Sequence, residues 1–200
     1  MKPAAKSLTV FLAIIATTAG LEARADDISR PRPYLTLDAG ANFLAGTTFT
    51  DQSGRTTKPK SDTGWRTGLT LGCTVDKWMA IEVESGVMRN SFQHSADYYA
   101  AVPLLANLVF RFENSTGFVP YIGAGAGIAA TTVEIGDVDA TEKVFAYQAK
   151  AGVAYQINPD MMISLGYKFF STARQEYGDG ALYLEHPNAS CVALSFTWKW

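Results

Sequence analysis

The chain has 200 residues with 17 basic and 19 acidic side chains, a formal net charge of −2 at pH 7. This balance argues against a nucleic-acid-binding protein, in which a stripe of lysine and arginine would be expected. Charged residues make up 18% of the chain, below the roughly 25% of ordinary soluble domains, and aromatic residues reach 12%.

The first 25 residues have the pattern of a secretory signal peptide. Two early lysines precede an apolar segment, Leu8–Ala19, which is shorter than the roughly 20 residues that span a bilayer. Ala23-Arg24-Ala25 is a typical cleavage site, so we predict cleavage after Ala25 and a single domain over residues 26–200. An uncleaved membrane anchor is the less favoured alternative.

Apolar residues then alternate with polar or small residues along eight stretches, at the period of two that indicates β-strands. The predicted strands, in chain order, are 34–43, 65–75, 79–87, 102–112, 119–130, 145–156, 161–169 and 191–200. Short turns at 76–77, 113–117 and 158–160 alternate with long polar loops at 46–62, 89–101, 131–142 and 171–189.

This connectivity is typical of bacterial outer-membrane barrels, which have an even number of strands, short periplasmic turns and longer extracellular loops. We therefore predict an all-β fold, an eight-stranded antiparallel up-and-down transmembrane β-barrel. Both chain termini would lie on the periplasmic side, and the long loops would be extracellular. No apolar run after the signal peptide is long enough for a membrane helix.

The last predicted strand, Cys191–Trp200, gives the clearest indication of a membrane location. Its apolar face becomes more aromatic toward the chain end, where Phe196, Trp198 and Trp200 alternate with polar residues. A soluble domain rarely exposes two tryptophans at a frayed terminus, whereas membrane barrels place aromatic side chains at the lipid–water boundary.

Alternation by itself also allows a soluble, lipocalin-like barrel with its apolar face inside. Two observations favour a barrel whose apolar face points outward to lipid. The first is that no charged residue falls on the apolar face between the rims, where a lysine or arginine at the bilayer midplane would destabilise the barrel by about 2–4 kcal/mol. The second is that glycines on the polar face suit a narrow interior; they are Gly40, Gly68, Gly72, Gly86, Gly123, Gly125, Gly127, Gly152 and Gly166.

Aromatic side chains at the strand ends are a third indication of lipid outside, because two girdles of such rings are expected at two interfaces. One predicted girdle contains Phe43, Trp65, Phe145, Tyr147, Tyr167 and Phe169. The other contains Trp78, Phe110, Phe112, Tyr155, Phe196, Trp198 and Trp200.

The polar face would bring charged side chains into the lumen, where charges persist only when they are paired. We predict an ion-pair network in which Glu82 and Glu84 pair with neighbours such as Arg111 and Lys150. The full predicted set is Asp38, Arg66, Glu82, Glu84, Arg111, Lys150 and Lys168. Eight strands enclose an interior that side chains just fill, so the network should plug the lumen. A narrow gated pore is the alternative.

The two cysteines would form a disulfide by default in an oxidising compartment. The predicted register places Cys73 outward near one end of the barrel and Cys191 inward near the other. Since a disulfide needs Cα atoms within about 7 Å, we predict two free thiols.

Candidate catalytic residues are sparse. Gly123-x-Gly125-x-Gly127 lies on a predicted strand without the helix that a nucleotide-binding loop requires. His94, Ser95 and His186 fall in predicted loops, and a nucleophilic serine needs a positioned base and a third orienting group. We expect no enzymatic activity, no cofactor and no metal site; a lipid A-modifying enzyme is the alternative.

The segment Val102–Phe112, followed by Val119–Gly127 and later by Leu165-Gly166-Tyr167 and the aromatic C-terminus, resembles OmpA-like and opacity-type outer-membrane β-barrel proteins. The resemblance covers essentially the whole predicted mature chain. It implies insertion by the barrel-assembly machinery, which reads the C-terminal strand, here through Phe196, Trp198 and Trp200.

The same resemblance implies contact with outer-membrane lipids and lipopolysaccharide, and a role in envelope integrity or adhesion. Because the chain ends at the eighth predicted strand with no peptidoglycan-binding domain after it, a role as a cell-wall tether is not expected. No nucleic-acid partner is expected, and any extracellular ligand is left open.

Overall fold

The computed structural model describes residues 31–45, 48–51, 54–58, 60–93, 97–135, 138–177 and 182–200. The predicted signal peptide with its cleavage site, His94 and Ser95 lie outside these residues. No helix in the described ranges is long and apolar enough to cross a membrane.

Twelve strands are present in these ranges. They are β1 (Arg32–Ala45), β2 (Thr48–Asp51), β3 (Thr56–Thr57), β4 (Gly64–Asp76), β5 (Met79–Ser91), β6 (Tyr98–Arg111), β7 (Phe118–Ile135), β8 (Val138–Asn158), β9 (Met161–Thr172), β10 (Gln175–Tyr177), β11 (Leu182–Glu185) and β12 (Asn188–Lys199).

Eight of these strands form a closed antiparallel barrel in the order β1-β12-β9-β8-β7-β6-β5-β4. The barrel closes where β1 pairs with β12, from Tyr34 opposite Lys199 to Ala45 opposite Asn188. The predicted fold class is therefore confirmed. We call the end with the turns between β4 and β5, β6 and β7, and β8 and β9 the turn end, and the opposite end the loop end.

The apolar face of the barrel points outward. Ile81, Leu108 and Leu165 are 52%, 40% and 56% exposed, and the polar face encloses the interior. The soluble alternative, in which these side chains would meet in an enclosed centre, is wrong. Successive side chains alternate across a strand, so every strand contributes to both faces.

The predicted long loops are partly wrong, because the barrel strands continue well into them. β7 and β8 pair from the turn end up to Ile135 opposite Val138, so the predicted acidic loop at 131–142 is a hairpin. Residues 131–135 are rich in β-branched side chains, which favour strands, and the hydroxyls of Thr132 and Thr141 hydrogen-bond across the pair at 2.9 Å.

The first and fourth predicted loops form a second sheet, which we call the cap sheet, in the order β10-β11-β2-β3. Its apolar side chains Phe49, Tyr177 and Leu184 are buried against inward-facing residues at the loop end of the barrel. The resulting loop-end core consists of Leu44, Phe49, Met88, Phe92, Tyr99, Ala101, Leu105, Ala129, Val133, Ala146, Phe170, Tyr177, Leu184 and Ala189.

Cys73 and Cys191 are both free thiols, as predicted. Cys191 is buried inside the barrel opposite Asn42, whereas Cys73 lies opposite Pro33 near the turn end. The two cysteines therefore lie at different heights on opposite faces of the sheet.

Candidate functional site in the barrel interior

Glu84 of β5 is the centre of a cluster of charged side chains inside the barrel. Its side chain is fully buried. Arg66 Nη2 and Lys168 Nζ donate to its Oε1 at 2.5 and 2.8 Å. Lys150 Nζ, Asn107 Nδ2 and Gln148 Nε2 donate to its Oε2 at 3.3, 3.1 and 2.9 Å. Both carboxylate oxygens are thus fully used as acceptors.

Two further carboxylates complete the cluster. Asp38 forms ion pairs with Arg66 and with Lys168, whose Nζ lies 3.1 Å from Asp38 Oδ2. Glu82 pairs with Lys150 through one oxygen and accepts a hydrogen bond from the Tyr34 hydroxyl at 2.7 Å through the other. We call Asp38, Arg66, Glu82, Glu84, Lys150 and Lys168 the ionic layer.

The ionic layer is buried and electrically balanced, with three carboxylates and three cations. None of its members is more than 8% exposed. Such charges are stable away from water only with complete pairing and hydrogen bonding, which this arrangement provides. The structure thus brings together six of the seven residues that were predicted from the sequence to form an ion-pair network.

Arg111, the seventh, lies outside the ionic layer. Its guanidinium carbon is 4.4 Å from the centre of the Tyr34 ring. The strand register explains why it does not pair with Glu82 as expected: Glu82 faces Asn107 on β6, so Arg111 lies four residues further toward the turn end. Tyr34 occupies the remaining oxygen of Glu82.

Glycines make room for these side chains on neighbouring strands. A Cβ atom at Gly72 would lie 2.1 Å from the Tyr34 ring, and one at Gly68 would lie 2.5 Å from a carboxylate oxygen of Asp38. Real Cβ atoms do not come this close to other heavy atoms, so the narrow lumen accommodates the ionic layer only beside residues without side chains.

Sequence reasoning missed three uncharged members of this site: Tyr34, Asn107 and Gln148. The signal was available, because all three lie on the inward face of their strands at the same period of two as the charges. Their role was not apparent because an inward amide or phenol can be assigned to the site only when the carboxylate that it contacts is known.

A second buried polar group lies under the cap sheet. The Tyr177 hydroxyl is 2.8 Å from Thr131 Oγ1 and 2.5 Å from Gln175 Oε1. Burial raises the pKa of Tyr177 well above its ordinary value of 10.0. The contact with Thr131 joins β10 to β7 in the extended hairpin, and so attaches the cap sheet to the barrel.

A small cavity lies between the ionic layer and the turn end. Its volume is about 60 Å³, and its walls include Thr36, Arg111, Tyr121, Ser195 and Thr197. Glu82, Lys150 and Lys168 contribute to its surface from the ionic layer.

The described residues contain no group of three or more His, Cys, Asp or Glu arranged to hold a metal ion. His186 is exposed, has a φ of 40° and connects β11 to β12. Phe196, Trp198 and Trp200 are exposed on the outer face, and the rings of the two tryptophans are 6.1 Å apart.

Residues 9–199 match the family model described as "Outer membrane protein beta-barrel domain". Outer membrane protein PagN of Salmonella typhimurium is 31% identical over 80 residues, in an alignment that covers 35% of this chain and 34% of PagN. The chain therefore aligns with about a third of that relative's length.

Two solved structures share the architecture at low sequence identity. Neisserial surface protein A superposes with a TM-score of 0.60 and 15% identity, over 84% of this chain and 97% of its own. OprG from Pseudomonas aeruginosa superposes with a TM-score of 0.53 and 12% identity, over 84% and 96%. At these identities the likeness concerns the fold.

Proposed function

Because this chain belongs to the outer membrane protein β-barrel domain family and is thus an integral protein of the bacterial outer membrane, we propose that it is a structural and surface-interaction barrel with a plugged lumen. The observation that carries the proposal is the balanced ionic layer across the interior. With its lumen closed, the barrel contacts other molecules only through its outer surface and its loop end.

Two successive barriers support the plug. The ionic layer links β1, β4, β5, β8 and β9 through buried ion pairs, and every member except Glu82 has at least two ion-pair partners in it. Above it, the loop-end core and the cap sheet fill the barrel with apolar side chains. An ion would have to separate buried pairs, each costing about 3–5 kcal/mol when one partner is lost, and then cross an apolar layer.

Planar-bilayer recordings test the plug. We expect the wild-type protein to show no stable single-channel openings, whereas a Glu84→Gln variant with an unbalanced ionic layer should give transient openings. Glu176→Gln, which changes an exposed glutamate of the cap sheet, is the matched control and should remain silent. Stable openings of the wild type would favour the alternative, a small gated pore.

We also propose that the turn end faces the periplasm and the loop end faces the exterior. This orientation follows the rule that outer-membrane barrels have short periplasmic turns and longer outer connections. It places the cap sheet and Arg89, stacked 4.1 Å over the Tyr98 ring, on the side of lipopolysaccharide. Phe196, Trp198 and Trp200 would then mark the C-terminal strand for the assembly machinery from the periplasmic side.

Cysteine labelling tests the orientation. In a background lacking Cys73 and Cys191, a membrane-impermeant maleimide should label Lys58→Cys at the loop end on intact cells. Lys77→Cys, in the turn between β4 and β5, should react only after the outer membrane is permeabilised. Both native lysines are exposed, so neither substitution disturbs buried contacts. Labelling of Lys77→Cys alone on intact cells would reverse the orientation.

Envelope integrity and adhesion can be separated with a deletion strain. If the protein maintains envelope integrity, the deletion strain should be more sensitive to detergents. Complementation by a chain with polar substitutions on the exposed side of the cap sheet should then restore detergent resistance. If the protein mediates adhesion, the same chain should fail to restore adhesion to the deletion strain, because its outer surface has changed. A deletion strain with wild-type detergent resistance and wild-type surface binding would contradict both roles.

We further propose a non-enzymatic role. Of the three candidate catalytic residues, His186 is exposed and lies outside the barrel strands, and His94 and Ser95 lie outside the described residues. Lipid A extracted from deletion and wild-type strains should therefore have the same mass spectrum. Loss of an acyl chain that depends on this protein would instead favour the lipid A-modifying alternative.

A further inference from the structure

The turn-end half of the lumen contains a positive charge without a carboxylate partner. Within the described part of the chain, no carboxylate lies within the 4.0 Å of Arg111 that defines an ion pair, and the guanidinium stacks on the buried ring of Tyr34. Lys199, half-buried on the inward face of β12, adds a second cation at this end, on which the carboxylates of Glu113 and Asp160 also act electrostatically. The ionic layer is neutral, so it supplies no net charge to balance Arg111.

The cavity beside Arg111 has the donors that an anion requires. Thr36, Ser195 and Thr197 contribute to its walls. The hydroxyls of Thr36 and Thr197 hydrogen-bond to each other at 2.8 Å, which leaves the proton of one of these two groups and that of Ser195 for an anion. The one carboxylate on its surface, Glu82, is already occupied on both oxygens, by Tyr34 and by Lys150. The cavity volume of about 60 Å³ exceeds the roughly 10–15 Å³ that a cavity needs to hold one water molecule, so there is room for a small inorganic anion.

The geometry points to an anion-binding site in this cavity, with Arg111 as its principal ligand and chloride or inorganic phosphate as the class of occupant. An excess cation inside a low-dielectric wall attracts a counter-ion, because field lines are concentrated in a narrow polar cleft. The guanidinium can stack on Tyr34 with its plane while its N–H groups remain available to the anion. The site depends on the lumen geometry and not on the proposed surface role.

Chloride-35 NMR line widths test the site on the purified barrel in a non-ionic detergent. Wild-type protein should broaden the chloride signal, and Arg111→Gln should weaken the affinity roughly ten- to hundredfold, as expected for loss of a hydrogen bond to a charged group. Lys77→Gln, which removes an exposed cation from the same end of the barrel, is the matched control and should retain the wild-type line width. Equal broadening by the wild type and Arg111→Gln would overturn the proposal.

Titration of inorganic phosphate into the chloride sample distinguishes the two anions. Narrowing of the chloride line at constant ionic strength would assign phosphate to the same site, and no narrowing would assign chloride. If Arg111→Gln does not fold, Arg111→Lys supplies the comparison: it keeps the charge but loses the fork of N–H donors and the contact with the Tyr34 ring, so the excess broadening should decrease, and undiminished broadening would overturn the proposal. Absence of excess broadening in the wild type, together with absence of a phosphate-31 shift, would exclude the site.

Discussion

Replacing Glu84 by glutamine is the most direct perturbation of the ionic layer. The variant keeps the size of the side chain but leaves three cations with two carboxylates. It also puts an NH₂ group where an oxygen now accepts hydrogen bonds, from two donors at Oε1 or from three at Oε2. A donor would then face donors at a site with no access to water.

The expected loss is about 3–5 kcal/mol in the free energy of unfolding, the range for removing one partner from a buried ion pair. Urea titration of the barrel in lipid vesicles, followed by tryptophan fluorescence and by the migration of unheated samples on gels, measures this change. The exposed Glu176→Gln control should stay within about 0.5 kcal/mol of the wild type.

A second substitution checks that charge imbalance causes the loss. Lys168→Met in the Glu84→Gln background restores two cations against two carboxylates, so the double variant should recover part of the stability. The coupling energy should be about 0.5–3 kcal/mol, as for residues in direct contact. If Glu84→Gln is as stable as the Glu176→Gln control, the ionic layer does not stabilise the barrel and the reasoning is refuted.

Four further outcomes are expected. Gly72→Val should destabilise the barrel by about 1–3 kcal/mol because its side chain overlaps the Tyr34 ring, and the same urea titration measures this. Tyr177→Phe should weaken the cap sheet by about 1 kcal/mol through loss of a buried hydrogen bond, seen as faster amide exchange there. Since burial raises the pKa of Tyr177, the unfolded form releases its proton first, so wild-type cap stability should be complete below pH 10 and fall above it. Amide protection factors, which correct for the rise of intrinsic exchange with pH, measure this change, and factors that stay constant through pH 10 would contradict it. Trp200→Ala should lower the folded fraction in cells, read from heat-modifiable migration, and an unchanged fraction would remove Trp200 from the assembly signal.

Strand faces were predictable because side-chain direction follows from a period of two along the chain. Asp38 and Glu84 could be placed inside the barrel from their immediate neighbours alone. Their partners were less accessible: Glu84 and Lys168 are separated by 84 residues, and only the register of several strands brings them together. The expected pairing of Arg111 with the glutamates failed for this reason, since a shift of four residues along β6 moves the guanidinium to Tyr34.

The loop end was predicted least well. The acidic composition of 131–142 favoured a loop, although its β-branched residues continue β7 into a paired hairpin. The cap sheet was also missed, because β2 and β11 are short segments from opposite ends of the chain. A four-residue strand has no stability of its own and forms only where a partner and an apolar surface are available.

The sequence by itself determined the number of barrel strands, the face that each strand turns to lipid and the set of charges that must be enclosed. These properties depend on local alternation and on the cost of placing charge in hydrocarbon. The tertiary structure alone decided which enclosed charges meet, that Arg111 lies apart from them and that two distant loops form one cap sheet. Those outcomes depend on register and on contacts between residues far apart in the chain, for which neighbouring residues contain no signal.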